Sequence, residues 1–232
     1  MSDVRIAAAG DAALVAEFGD RIDVALNARA TALAEALART PVHGIRDIVP
    51  TFRSVAVYFD PLVTDVEQLR QRLLDLAAAP EPTRAETPRP PVVVPVCYGG
   101  EFGPDLGDVA SFAGLSEAET VERHATASYR VFMLGFMPGF AYLGVVDPRI
   151  AAPRRQAPRA RVPAGSVGIA GAQTGVYPRE TPGGWQIVGR TPLTIFAFDR
   201  EPPCVFRAGD TVQFQPITAA DFARTVDREG AR

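Results

Sequence analysis

A proline-rich stretch near the middle of the chain divides it into two parts. The segment PEPTRAETPRPP, residues 80–91, contains five prolines and no large apolar side chain. Because proline fixes φ and lacks a backbone N–H, such a segment favours a stiff, extended linker over a place in a folded core. We therefore predict an N-terminal domain over residues 1–82, a linker over residues 83–91 and a second domain over residues 92–232.

The residues before the linker show the pattern of an α+β domain. VRIAAAG and ALVAEFG indicate a pair of strands, SVAVYFDP alternates in the manner of a half-buried strand, and apolar residues recur at helical spacing over residues 22–39. Thr64 and Glu67 indicate a capping box at the start of a last helix that carries Leu69 and Leu73. The predicted order is two strands, a helix, two strands and a helix, which indicates a small α+β sandwich with its helices on one face.

The residues after the linker show a sequence pattern that is typical of a β-barrel. PVVVPVCYGG indicates a strand, and Ser116 and Glu119 form a capping box for a helix over residues 117–127. Short apolar runs separated by Gly and Pro follow, among them AGSVGIAG, GGWQIVG and TPLTIFAF, and such closely spaced short strands favour a small barrel. Thr218 and Asp221 are expected to cap a last helix.

Charge and hydropathy exclude several classes of partner. The net charge of −3 and the pI near 5.5 argue against binding to nucleic acid or to an anionic membrane surface. The start, MSDVRIAAAGDAAL, lacks the basic and apolar regions of a signal peptide, and the longest uncharged run, residues 131–146, is too short and too broken to span a bilayer. With Cys97 and Cys204 far apart in sequence, we predict a cytoplasmic protein with reduced thiols.

The chain contains no lysine, since all 24 of its basic residues are arginine. This excludes Schiff-base chemistry, a lysine general base and a phosphate-binding loop that ends in GK[ST]. Two histidines and two distant cysteines give no metal-ligand spacing, so we predict no metal site in this chain. A nucleotide would have to be held by arginine, by backbone amides or by residues of a partner.

The uncharged segment GFMPGFAYLG, residues 135–144, predicts a rigid corner. Its glycines permit φ above zero and Pro138 fixes φ, so the segment cannot continue a helix. Phe136, Phe140 and Tyr142 project from this corner. They either form the wall of a substrate pocket beside the barrel or only fill the end of the barrel.

His124 is the candidate proton-transfer group. On the predicted helix it shares a face with Val121 and Ala125, which directs it inward and toward the 135–144 corner. Such a histidine serves either as a general base near neutral pH or as a buried structural residue. His43, between Pro and Gly, is expected to be a surface turn residue.

Residues 148–179 contain six arginines and no acidic residue, in a chain that is acidic overall. They create a local positive field that suits a carboxylate or a phosphate, unless they pair with distant acids on a solvated loop. These arginines are Arg149, Arg154, Arg155, Arg159, Arg161 and Arg179.

The following segment offers neutral hydrogen-bonding groups. The AGSVGIAG stretch is predicted to expose the amides of Gly165 and Ser166 as a nest for an oxyanion. Gln173, Thr174 and Tyr177 suit an amide or a lactam.

Two further residues near the end of this region are candidates for the site. Trp185 either stacks on a ligand ring or closes the core. Arg190 is placed to pair with an acidic group.

Four motifs in this order resemble one known family. YRVFMLGFMPGFAYLG, PRARVPAGSVGIAG, QTGVYP and TPGGWQIVGRTP are similar to the PxpB/KipI family, also described as allophanate hydrolase subunit 1 or as the carboxyltransferase C–D domain. The resemblance extends over residues 92–215 and is weaker before them. It implies an α+β protein in which a small N-terminal α+β domain precedes a cyclophilin-like β-barrel.

The resemblance also implies a function. Members act as the B subunit (PxpB) of a bacterial 5-oxoprolinase, which opens 5-oxo-L-proline to L-glutamate with ATP hydrolysis. The implied partners are the C subunit (PxpC-like) and the A subunit (PxpA-like). This chain is then expected to be inactive alone and to share ATP, as co-substrate, with its partners. Two alternatives remain: a KipI-like inhibitor of a histidine kinase, and an accessory carboxyltransferase-type subunit of urea or allophanate metabolism.

The family motifs assign residues to the expected site. The family's histidine before a tyrosine is matched by His124 and Tyr129, its aromatic loop by residues 135–143 and its PGGW motif by residues 182–192. We predict His124 and Arg190 as catalytic residues. The predicted substrate-binding residues are Phe136, Pro138, Phe140, Tyr142, Arg159, Gly165, Ser166, Gln173, Thr174, Tyr177 and Trp185. With so few catalytic groups in one chain, we expect a partner chain to complete the site.

Overall fold

The computed structural model describes residues 4–40, 42–79 and 89–230, and it describes only the backbone of residues 227–230. These residues form two compact units that divide near residue 88. Most of the predicted linker, residues 83–88, lies outside the described residues.

The N-terminal unit is a four-stranded antiparallel sheet with two helices, in the strand order β1-β2-β4-β3. Its elements, in chain order, are β1 (Val4–Ala8), β2 (Ala13–Phe18), α1 (Val24–Arg39), β3 (Ile45–Pro50), β4 (Ser54–Phe59) and α2 (Val66–Ala78). The predicted order of strands and helices is therefore confirmed.

The alternating pattern of β4 buries one face of the sheet against the helices. Val55 and Val57 are fully buried, whereas Tyr58 between Val57 and Phe59 is exposed. Leu37 of α1 and residues of α2 pack in the same cluster. Burial of apolar surface on one face of sheet and helix stabilises this α+β sandwich.

The expected capping box at the start of α2 is wrong. Asp65, rather than Thr64, is the N-cap, and its carboxylate accepts hydrogen bonds from the amides of Glu67 and Gln68. The Thr64 hydroxyl instead donates to the carbonyl of His43. Asp caps helices at least as well as Thr, so the helix begins one residue later than expected.

The second unit contains a closed seven-stranded barrel and a separate pair of short strands. The barrel order is β10-β7-β6-β13-β5-β12-β9, and the short pair is β11-β8. The strands are β5 (Val92–Tyr98), β6 (Ser128–Leu134), β7 (Ala141–Gly144), β8 (Arg159–Val162), β9 (Ser166–Ala170), β10 (Gln173–Val176), β11 (Thr181–Gly183), β12 (Gln186–Arg190) and β13 (Thr211–Pro216). Together with the N-terminal sandwich, this barrel confirms the predicted α+β class.

Among the described residues, three α-helices accompany the barrel, with a 3-10 helix at Pro148–Ile150: α3 (Leu106–Ala113), α4 (Glu117–Thr126) and α5 (Ala219–Gly230). The capping box of Ser116 with Glu119 at α4 is confirmed, and Thr218 and Asp221 exchange equivalent hydrogen bonds at α5. Helix α3 was not predicted from the sequence, because this short helix has no side-chain cap at its N-terminus. No helix among the described residues has the length and apolarity needed to cross a bilayer. Cys97 and Cys204 are free thiols.

The barrel strands separate two apolar clusters. Ala141, Leu143 and Val188 belong to the interior cluster that fills the barrel. A second group, here called the outer cluster, consists of Phe140, Val162, Tyr177, Trp185 and Ile187. Because successive side chains of a strand point to opposite faces, neighbours such as Ile187 and Val188 belong to different clusters.

A buried carboxylate connects α3 to the segments that cover the outer cluster. Asp105 is 1% exposed and accepts hydrogen bonds from Arg155 at 2.7 Å and from Arg159 at 2.6 and 2.7 Å. The backbone amide of Ile187 donates to the same carboxylate at 2.7 Å. These contacts satisfy the desolvated charge, since charge-assisted and bidentate arginine bonds are the strongest of their kind.

Replacing this carboxylate should destabilise the barrel unit. We expect Asp105→Asn to lower the free energy of unfolding by about 3 kcal/mol, because it leaves two guanidinium groups without their anion. Fluorescence of Trp185, the single tryptophan, measures urea unfolding of this unit. Glu180→Gln, in an exposed pair with Arg161, is the matched control and should cost less than about 1 kcal/mol. Equal effects of the two variants would contradict this account of Asp105.

Candidate functional site

A cavity of about 380 Å³ lies over the outer cluster. Its aromatic lining consists of Phe136, Phe140, Tyr142, Tyr177 and Trp185. The remaining lining residues are Arg154, Pro158, Ala170, Gln173 and Pro182–Gly184. The volume is at the small end of the range for ligand pockets, about 300–1,000 Å³.

Edge-to-face contacts hold the aromatic walls in place. The Phe140 ring lies 5.5 Å from Trp185, 5.2 Å from Tyr177 and 4.9 Å from Tyr142, measured between ring centroids. All three pairs are T-shaped, which is a favourable arrangement of ring quadrupoles. These contacts fix the three rings relative to Phe140.

The connection between β6 and β7 is the sharp corner that the glycines predict. Gly139 has a φ of +84°, and a Cβ at that position would lie 2.6 Å from the Cβ of Phe196. Phe136 has a φ of +67°, an uncommon conformation for a non-glycine residue, and its ring is 62% exposed at the rim of the cavity. The corner therefore presents Phe136 to the rim and Phe140 to the wall.

Glycine is needed at position 183, before Trp185, because the Tyr177 side chain lies very close to the backbone there. A Cβ on Gly183 would lie 2.7 Å from the hydroxyl oxygen of Tyr177, a distance that would displace the tyrosine. The backbone amide of Trp185 hydrogen-bonds the same tyrosine. Glycine at position 183 thus lets Tyr177 and Trp185 share one wall.

Two polar side chains in the cavity have open hydrogen-bonding capacity. Neither Arg154 nor Gln173 forms a side-chain hydrogen bond or ion pair with the residues that the structure describes. Burial raises the pKa of Tyr142 and of Tyr177, and the positive charge of Arg154 opposes this rise. The cavity therefore combines aromatic walls with one cation and one neutral amide.

His124, which the sequence predicts as a catalytic base, does not line the cavity. Its Nε2 lies 2.9 Å from the Thr174 hydroxyl and its Nδ1 lies 2.8 Å from the Tyr98 hydroxyl. Its ring stacks on Phe214 and is 1% exposed. Burial lowers the pKa of His124 to about 3, so the imidazole is neutral and inaccessible at neutral pH.

The alternation of strand β10 explains this separation. Thr174 is fully buried toward His124 and donates to the Gly168 carbonyl, so it accepts the Nε2–H of the imidazole. Gln173, its neighbour, lines the cavity on the other face of the strand. Thr174 is consequently part of the interior and not of the cavity.

Two predicted anion-binding groups are placed elsewhere. Arg190 donates from Nε to the carbonyl of Ala164 and lies over the Phe222 ring at 6.0 Å, outside the cavity lining. The amides of Gly165 and Ser166 donate to backbone carbonyls, so the expected oxyanion nest is not formed. The two backbone N–H groups that the glycine-rich sequence suggested were free to bind an anion are therefore already hydrogen-bonded within the chain.

Arg159 and Pro138 also fall outside the lining. Arg159 is engaged with Asp105, whose carboxylate raises the pKa of this arginine further. Pro138 lies in the corner between Phe136 and Phe140 without lining the cavity. Of the predicted substrate-binding residues, the cavity brings together Phe136, Phe140, Tyr142, Gln173, Tyr177 and Trp185.

Sequence reasoning missed Arg154 as the cavity's cation. It belongs to the arginine-rich region, but the neighbouring arginines are neutralised: Arg155 and Arg159 by Asp105, and Arg161 by Glu180. The sequence shows an excess of positive charge but not which arginines lack an acidic partner or which of them lines the cavity. The described residues contain no cluster of His, Cys, Asp and Glu that could hold a metal ion.

The comparison with known families decides the identity of this fold. The model of the carboxyltransferase domain, subdomain C and D, matches residues 4–206. The chain belongs to this family. The resemblance of the four sequence motifs is thereby confirmed.

Curated relatives in the family are similar along nearly their whole length. The 5-oxoprolinase B subunit of Bacillus subtilis (strain 168) is 42% identical over 92% of this chain and 92% of its own. The 5-oxoprolinase B subunit of Escherichia coli O157:H7 is 40% identical over 89% of this chain and 93% of its own.

Solved structures support the same fold. The crystal structure of TTHA0988 is 39% identical with a TM-score of 0.81, and it matches 89% of this chain, which spans 40% of that protein. Urea carboxylase of Kluyveromyces lactis shares the fold at 21% identity, with a TM-score of 0.72, over 97% of this chain and 22% of its own.

The buried imidazole should make stability depend on pH. Because the folded-state pKa of His124 is about 3, the unfolded chain binds a proton below pH 6.5 that the folded chain does not. The free energy of unfolding is therefore unaffected by His124 above pH 6.5. As the pH falls from 6.5 toward 3, protonation of this histidine in the unfolded chain lowers the free energy of unfolding by about 1.4 kcal/mol per pH unit. In His124→Gln, urea unfolding between pH 4 and 6 should show a slope against pH that is smaller by this amount.

Trp185 fluorescence follows this unfolding, since the single tryptophan lies in the same unit as His124. If His124→Gln keeps the slope of the unmodified protein, the imidazole is not the group that titrates.

Proposed function

We propose that this chain is the B subunit of an ATP-dependent 5-oxoprolinase. The observation that carries the proposal is the similarity, at 40–42% identity and over about nine-tenths of each chain, to proteins named as the B subunit of 5-oxoprolinase. The cavity supports it, because aromatic walls, an arginine and a primary amide suit a small lactam with a carboxylate.

The reaction explains why ATP is required. 5-Oxo-L-proline is a cyclic amide, and opening it to L-glutamate needs water to attack a carbonyl carbon that resonance makes unreactive. Transfer of the γ-phosphoryl group of ATP to the lactam oxygen, with release of ADP, would make that carbon electrophilic. Attack by one water and cleavage of the ring C–N bond would then give an acyl phosphate, and a second water would hydrolyse it to L-glutamate and phosphate. A cavity that excludes bulk water would protect such an intermediate.

The residues of the cavity support a site that is shared with a partner chain. The titratable groups in its described lining are Arg154 and the phenols of Tyr142 and Tyr177, whose pKa values are raised by burial. A proton acceptor that works near neutral pH must then come from the C or the A subunit of the enzyme. This chain contributes substrate binding and is inactive alone.

We propose that the partner chains supply most of the contacts to ATP. The chain has no lysine, and Arg154 is the one charged residue that the structure describes in the cavity lining. A triphosphate needs several cationic or amide donors. Free thiols at Cys97 and Cys204 are consistent with the cytoplasm as the location of the complex, because thiols stay reduced there.

Reconstitution tests the proposal. The purified chain is combined with the A and C subunits from the same source, and glutamate formation from 5-oxo-L-proline is measured with and without ATP. We expect ATP-dependent turnover only in the complete mixture, with turnover falling to background when this chain is omitted. The B subunit of Bacillus subtilis, tested in place of this chain, shows whether the partners are competent. Turnover that is unchanged without this chain would refute the proposal.

A further inference from the structure

Arg154 differs from Arg155, Arg159 and Arg161 by having an unpaired, exposed guanidinium group at the edge of a cavity. Arg155 and Arg159 are paired with the buried Asp105, and Arg161 is paired with Glu180. Arg154 forms no ion pair with any residue in the ranges that the structure describes, yet it lines a cavity with aromatic walls. A cation without an anion at the edge of an aromatic pocket is suited to an anionic ligand group.

The backbone next to Arg154 is held in place, so the side chain projects from a fixed point at the edge of the cavity. The amide of Arg155 donates to the carbonyl of Gly184 at 2.8 Å, and the Arg155 side chain reaches Asp105. Gly184 lies beneath Arg154, since a Cβ on this glycine would be 3.7 Å from its Nε. Fixing the residue before binding reduces the conformational entropy that binding costs.

The second open polar group in the cavity is neutral. Gln173 lies at the start of β10, opposite Ala170 of β9, and both residues line the cavity. A primary amide donates and accepts, and it therefore complements the N–H and the carbonyl of another amide. The exposed Phe136 ring and the half-buried Tyr142 ring provide apolar surfaces for a small ring, and the buried Phe140 and Trp185 rings support them.

We propose that Arg154 is the residue that selects a carboxylate in this cavity. The ligand class is a small ring that carries both an amide and a carboxylate. Arg154 pairs with the carboxylate, Gln173 hydrogen-bonds the amide, and the ring lies against Phe136 and Tyr142, next to Trp185. The identification of the ligand as 5-oxo-L-proline rests on the proposed function, whereas the requirement for a carboxylate rests on the cavity.

The charge of the cavity argues against a nucleotide in the same place. An aromatic pocket that bound adenine would need further donors for three phosphates, and the described lining offers Arg154 and Gln173. A monocarboxylate matches one guanidinium group, which binds it through two parallel hydrogen bonds.

Trp185 makes the proposal measurable without turnover. It is the single tryptophan of the chain and forms part of the cavity wall. The full-length chain is titrated with 5-oxo-L-proline, with 2-pyrrolidinone, which lacks the carboxylate, and with cyclopentanecarboxylate, which lacks the amide. Isothermal calorimetry measures the same affinities independently of fluorescence. We expect 5-oxo-L-proline to bind at least about tenfold more tightly than either analogue, because each analogue lacks one of the two polar contacts.

Substitution of Arg154 separates the carboxylate contact from the rest of the cavity. Arg154→Ala should bind 5-oxo-L-proline about 10- to 100-fold more weakly, as expected for loss of a charge-assisted pair, and should bind 2-pyrrolidinone as the unmodified chain does. Arg161→Ala removes a nearby arginine outside the cavity and should leave all affinities unchanged. The unfolding midpoint of each variant shows that the fold is intact.

Three outcomes would overturn the proposal. These are no binding of 5-oxo-L-proline by either method, equal loss of affinity in Arg154→Ala and Arg161→Ala, and equally tight binding of inorganic phosphate that also depends on Arg154. The last result would make the cavity a general anion site. The reconstituted complex distinguishes the two proposals: turnover by the complete mixture without binding here would refute the role of Arg154 alone, whereas binding without turnover would refute only the proposed function.

Discussion

The desolvated carboxylate of Asp105 fixes the charged edge of the cavity. A buried anion must be paired, and Asp105 finds its partners in Arg155, Arg159 and the Ile187 amide. These three groups belong to the segment before β8, to β8 and to β12, so the segments cannot move independently without exposing an unpaired charge. The same contacts neutralise two arginines of the 148–179 region and leave Arg154, next to Arg155, as a cation facing the cavity.

The barrel wall separates a structural polar network from the candidate site. On the interior face, Tyr98, His124 and Thr174 form a chain of hydrogen bonds that ends on the Gly168 carbonyl. Both imidazole nitrogens are engaged, which fixes a neutral tautomer with the proton on Nε2. On the outer face of the same strands lie Gln173 and the aromatic walls. One residue along β10 is enough to move a side chain from one environment to the other.

Local features of the fold were predictable from sequence, and distant ones were not. The period-2 pattern of β4 and the capping box of Ser116 are contained within a few residues, and the structure confirms both. The hydrogen bond from the Ile187 amide to the Asp105 carboxylate joins residues far apart in the chain, and no local sequence pattern predicts it. For the same reason the sequence showed an excess of arginines without showing which of them would be neutralised. The sequence predicted that His124 points inward, toward the 135–144 corner. The side chain does point inward, but it contacts Tyr98 and Thr174 in the barrel interior.

The position of the cavity outside the barrel follows from the size of the barrel. Seven short strands enclose a space that their own side chains fill, so a ligand site has to be built on the outer surface. Two glycines make that surface available: a Cβ on Gly175 would lie 3.2 Å from the Trp185 ring, and one on Gly168 would lie 3.1 Å from the Trp185 Cβ. Because these two positions have no side chain, Trp185 packs directly on the backbone of the strands. Phe140, from the 135–144 corner, packs against the Trp185 ring. The glycines of the sequence motifs therefore create the room for the aromatic residues that accompany them.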